Sequence, residues 1–85
     1  MRLWASVLHG RPASLFVETA NQFSSEITVS NLTTDRPAVN AKSILGVLTL
    51  GVAQGHEIQI WADDEDAEQA VSRLYELVAS NFGEA

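Results

Sequence analysis

Leu8-His9-Gly10-Arg11-Pro12-Ala13-Ser14 places a histidine and an arginine two positions apart, just where a proline opens a helix. Proline is favoured at the first helical position, where its missing N–H costs nothing, and Gly10 lets the backbone approach a bound group closely. The next ten residues carry a helical period. Ala13, Phe16, Val17 and Ala20 recur at i, i+3, i+4 and i+7 as one apolar stripe, with Phe23 near its end. An imidazole at this point lies beside unpaired backbone N–H groups and the positive end of a helix dipole, a setting for an anion. His9 and Arg11 are therefore a candidate phosphoryl-accepting pair. Taken alone, the same pattern also suits a loop histidine beside a solvated charge, so its context decides.

Outward from this stretch, Met1 to Ser6 has room for one short strand. After the helix, Glu26-Ile27-Thr28-Val29-Ser30 alternates with period two, which points Ile27 and Val29 inward. Asn31 to Pro37 is rich in turn formers and joins this strand to a second, around Ala38 to Ala41, making a hairpin. Ser43 precedes the apolar run Ile44 to Leu50 and is a natural N-cap for a short helix that Gly46 weakens. Gly51 and Gly55 bracket a compact connection to His56-Glu57-Ile58-Gln59-Ile60-Trp61-Ala62, a strand with Ile58, Ile60 and Ala62 inward. His56 reads as an ordinary surface histidine. From about Asp66 to Asn81 a long helix carries Ala67, Ala70, Val71, Leu74, Leu77 and Val78 on one face, and Gly83 comes next, as C-terminal caps prefer. Strand, helix, strand, strand, helix, strand, helix predicts an α+β sandwich with one sheet face covered by helices and the other open to water.

Residues 1–85 suit a single small domain, with no internal linker or repeat. With no cysteine, disulfides, thiolate metal ligands and cysteine nucleophiles are excluded, which fits a reducing cytoplasm. Neither a secretory signal nor a bilayer-spanning run is visible, so a cytoplasmic chain without membrane insertion is expected. The net charge of −6 argues against nucleic acid, whose phosphates repel such a surface. Asp63, Asp64, Glu65, Asp66 and Glu68 crowd one stretch; they read as a helix start, since they lack the ligand spacing and glycine of a calcium loop. No metal site is expected.

Two motifs in order, His9-Gly10-Arg11-Pro12-Ala13-Ser14 and Lys42-Ser43-Ile44-Leu45-Gly46-Val47-Leu48-Thr49-Leu50-Gly51, closely resemble the HPr family of the bacterial sugar phosphotransferase system. The resemblance runs on through Gln54-Gly55 and Glu57-Ile58-Gln59-Ile60 into the last helix. It implies an open-faced β-sandwich, βαββαβα, with a four-stranded antiparallel sheet and three helices on one face. It also implies a phosphocarrier, acting through a phosphohistidine rather than as a stand-alone enzyme. His9 would take the phosphoryl group on Nδ1 from phospho-enzyme I and hand it to an enzyme IIA domain, with Arg11 pairing to the phosphoryl oxygens and no cofactor required. Ser43 matches the serine phosphorylated in some members by HPr kinase/phosphorylase. A regulatory binding module, controlled at Ser43 and docking on a transcription regulator or an enzyme in carbon or nitrogen regulation, is the alternative the resemblance allows. Leu8, Gly10, Ile44, Leu45 and Leu48 would form the docking surface, although sequence alone suits these leucines equally to a core. Gly10 stands where the family usually has alanine and Val7 where glycine is common, and the sequence begins later than the family's pattern, so that either the start is late or the edge strand is unusually short.

Overall fold

The computed structural model describes residues 2–4, 11–80 and 82. Seven elements succeed one another: β1 (Arg2–Trp4), α1 (Arg11–Ala20), β2 (Glu26–Asn31), β3 (Arg36–Asn40), α2 (Ile44–Thr49), β4 (Glu57–Asp63) and α3 (Ala67–Ala79). Their order is the one the periodicities predict. The strands form one antiparallel sheet in the order β1-β4-β2-β3. The long central pairing of β2 with β4 sets Val29 opposite Ile60 and Asn31 opposite Ile58. Because side chains alternate across a pleat, this register puts Ile27, Val29, Ile58 and Ile60 on one face, and each is at most 1 % exposed.

The helices bring the other half of the core. Ala13, Phe16 and Ala20 of α1, Val47 of α2, and Ala70, Leu74 and Val78 of α3 are buried in one cluster with those strand residues. Val17, Val71, Leu77 and Ala62 pack at its margin, as the predicted stripes require. On the opposite sheet face Trp61 is 65 % exposed, so that face is open to water. Among the described residues Phe16 is the largest of the fully buried side chains. Truncating a buried phenylalanine removes both its transfer free energy and the contacts around the resulting cavity, typically about 3–5 kcal/mol. A domain of this kind has about 5–15 kcal/mol in total, so Phe16→Ala is expected to lose a large share of its stability in urea unfolding.

Several element boundaries move by one or two residues. Arg11 is already helical in the helix after the histidine motif, so Pro12 is not its first residue. β3 starts at Arg36, two residues before the predicted strand, because the turn is tighter than Asn31–Pro37: Asp35 takes a left-handed φ of 55° and closes the reversal. Pro37 is tolerated because β3 is the sheet edge, where a missing N–H breaks no ladder bond on the outer side. α3 ends at Ala79, with Ser80 as its C-cap. Residues 1, 5–10, 81 and 83–85, including the rest of the predicted first strand and the Gly83 cap, lie outside the described residues.

Candidate functional site

Leu8, His9 and Gly10 lie outside the described residues; the structure describes the helix their segment runs into. Arg11 is exposed at the first position of α1, while Ala13 and Phe16, each 0 % exposed, fix that end of the helix to the core. The Arg11 backbone is thus anchored to the core while the residue stays exposed. An anion near this end meets a cation and the N–H groups that a helix start leaves unpaired.

α2 and its cap carry the other residues the sequence singles out, and the contacts below tie the start of α2 to the C-terminal end of α1, away from Arg11. Ser43 has extended backbone (φ −106°, ψ 117°), and its Oγ accepts from the Gly46 N–H at 3.1 Å, the N-cap geometry its sequence position predicts. The backbone of Val47 donates to the Ser43 carbonyl at 3.0 Å and starts the ladder. At the other end of α1, Asn21 Nδ2 donates to the Lys42 carbonyl at 3.3 Å and Lys42 Nζ to the Phe23 carbonyl at 2.6 Å, which ties the residue before the cap to the end of α1. Val47 and Leu50 point into the core. Ile44, Leu45 and Leu48 do not: they are 38, 74 and 40 % exposed. The structure therefore decides between the core and surface readings of this run, and it decides for the surface.

Two further side chains act differently from their sequence reading. Asp66 does stand at the N-cap of α3, yet it makes no side-chain cap bond. Instead its carboxylate accepts from the backbone N–H of Ser24 (2.9 Å) and of Ser25 (3.0 Å) and from both serine hydroxyls, pinning the segment after α1 to the start of α3. The Ser25 hydroxyl above all, with the Ser24 N–H next, holds the carboxyl down from 3.8 to about 2. A depressed folded-state value stabilises the fold above the ordinary carboxylate range, and that contribution is lost as pH falls through about 2. Asp66→Asn is thus expected to be less stable than the parent at neutral pH. The gap should close as unfolding is repeated at successively lower pH between these two values. His56 is no simple surface residue either. It is half-buried, and its Nδ1 accepts from Asn31 Nδ2 at 3.0 Å and from the Ala53 N–H at 3.1 Å. Its partners lie far off or in a loop, so no local pattern betrays them.

Among the described residues no group of three or more His, Cys, Asp or Glu is placed to hold a metal ion, and no helix is long and apolar enough to cross a membrane.

The profile of the family described as "PTS HPr component phosphorylation site" matches residues 5–80, a span that includes both motifs. The "Phosphocarrier protein HPr" of Streptomyces coelicolor is 44 % identical over 81 residues, covering 95 % of this chain and 85 % of the relative. The "Multiphosphoryl transfer protein" of Salmonella typhimurium is 46 % identical over 78 residues, 91 % of this chain. This chain spans 20 % of that protein's length and 15 % of the Haemophilus influenzae one. Among solved structures, HPr from Thermoanaerobacter tengcongensis superposes with a TM-score of 0.92 at 43 % identity, covering 100 % of this chain and 96 % of that one. The family match and the fold thus define a small α+β domain of the HPr type. The chain belongs to the HPr family, the phosphocarriers of the phosphotransferase system.

Proposed function

We propose that His9 is the phosphoryl-carrying residue. It accepts from phospho-enzyme I, which is charged by phosphoenolpyruvate, and delivers to an enzyme IIA domain. The neutral imidazole attacks phosphorus through Nδ1 without first losing a proton, and the bond to the donor breaks as the N–P bond forms. Arg11, through its planar fork, and the free N–H groups at the start of α1 offset the charge on the phosphoryl oxygens. Such a transfer needs little beyond positioning and electrostatics, which a single domain with no cofactor supplies.

The observation that carries this reading is the exposure of Ile44, Leu45 and Leu48 on a helix whose other side, Val47 and Leu50, is at most 1 % exposed. With Leu8 and Gly10, these side chains form the surface on which donor and acceptor dock, because large exposed apolar groups grouped on one element mark an interface. Ser43 is the regulatory position, modified by an HPr kinase/phosphorylase. Its Oγ already caps α2, so a phosphate there meets a favourable helix end while placing new negative charge inside the docking surface. That charge redirects the chain from the phosphoryl donor toward a transcription regulator. The setting is a bacterial cytoplasm, with residues 1–85 acting as one HPr domain.

The test mixes the chain with enzyme I, phosphoenolpyruvate and magnesium and tracks intact mass. One acid-labile phosphoryl group per chain is the expected result; no uptake, or an acid-stable product, contradicts the reading.

A further inference from the structure

A six-residue helix with a glycine at its centre does not hold itself together, because so short a segment gains too few hydrogen bonds to repay nucleation. The pose of α2 is therefore set from outside. Burial of Val47 and Leu50 anchors one line along it and leaves it free to roll about that line. The N-terminal end is tied to α1 through Lys42, whose carbonyl accepts from Asn21 Nδ2 and whose Nζ donates to the Phe23 carbonyl. The C-terminal end, where helix carbonyls lack partners, is held by the β2–β3 hairpin.

Arg36 Nη1 donates to the Thr49 carbonyl at 3.1 Å, and Asn31 Nδ2 donates to the carbonyl of Leu50, the C-cap, at 3.3 Å. A cation at this end also complements the dipole. Asn31 is 0 % exposed and lies at the register irregularity between β2 and β3. Its Oδ1 accepts from the N–H groups of Thr33 (3.1 Å) and Thr34 (3.3 Å), so the amide that shapes the hairpin turn is the amide that grips the helix. His56 then locks that amide to the loop after α2 through its own Nδ1. None of these side chains belongs to α2 or to the motif around His9.

We propose that Arg36 and Asn31 are positioning residues: from the hairpin they fix the roll of α2, and hence the presentation of Ile44, Leu45 and Leu48 to the phosphoryl donor. The inference rests on the docking role proposed for α2. It assigns a function to a hairpin outside both the histidine motif and the docking surface. Loss of one such bond is worth about two- to tenfold in an equilibrium constant.

Steady-state transfer from phospho-enzyme I, with the chain as the varied substrate, tests this. Arg36→Ala is expected to raise KM about two- to tenfold with kcat unchanged, and Arg36→Lys, which keeps one charged donor, to recover part of it. Amide hydrogen exchange supplies a readout independent of phosphorylation: the Leu50 and Gly51 N–H groups should exchange faster in Arg36→Ala, with the β2–β4 amides unaffected. Asn31→Ala should move both readouts the same way if it folds, and Arg36→Ala, at an exposed site, carries the test if it does not. Unchanged KM and unchanged exchange in Arg36→Ala overturn the proposal, as does a fall in kcat at constant KM, which would place Arg36 in the chemistry. If the parent chain takes no phosphoryl group, the reading of His9 fails, and the exchange result alone decides whether the hairpin holds the helix.

Discussion

Alanine at His9 is expected to leave a folded protein that accepts no phosphoryl group, with uptake from phospho-enzyme I down by at least about a thousandfold. The size of the effect comes from the chemistry. A carrier forms a covalent bond to the group it moves, and without the attacking nitrogen there is no partial reaction for positioning to rescue. The described residues supply no substitute: His56, the other histidine of the chain, is half-buried and spends its Nδ1 on Asn31 and Ala53. Circular dichroism and urea unfolding check that the fold survives, and intact mass checks the transfer. Residual acid-labile phosphate on His9→Ala would move the acceptor elsewhere.

Leu45→Glu should produce the next largest effect, and in docking alone. Leu45 is 74 % exposed, so the change sits within the range of surface substitutions, about 0.5 kcal/mol either way in stability. In a complex the same side chain is desolvated, and a carboxylate there is both unpaired and misshapen. Central apolar contacts of interfaces are worth about 2–4 kcal/mol when lost, which is about 30- to 1000-fold in affinity. Calorimetry against enzyme I should show that loss with the thermal midpoint of the free variant unmoved. A variant that binds as the parent does would remove α2 from the docking surface.

What the sequence discloses is what local periodicity carries. The alternation through Ile58 and Ile60 and the stripe Ala70, Leu74, Val78 name core positions directly, because each element shows the core one face at its own period. α2 defeats this reasoning: Ile44, Leu45, Val47, Leu48 and Leu50 are apolar all round, and only the packing shows that Val47 and Leu50 face in. Side chains whose partners are distant are read only in part, for a related reason. Asn31 looks like a turn residue, yet it is buried against Leu50 and His56, 19 and 25 residues away. Asp66 looks like part of an acidic helix start, yet its carboxylate closes on Ser24 and Ser25, 42 and 41 residues back. For the site the position is reversed. His9 is legible only as a motif and lies outside the described residues; what the structure adds is an exposed arginine in the first turn of α1, a capped α2 and exposed apolar side chains on that helix.

The claim that this chain is a relay, and more than an acceptor, is tested most directly by a two-step transfer. The chain is labelled from phosphoenolpyruvate through enzyme I, separated from donor and enzyme, and mixed with a purified enzyme IIA domain. The label is expected to leave His9 and appear on the IIA protein, with fresh transfer possible on a second addition of donor. Label that stays on the chain until it hydrolyses, against every IIA domain of the bacterium, would contradict the account.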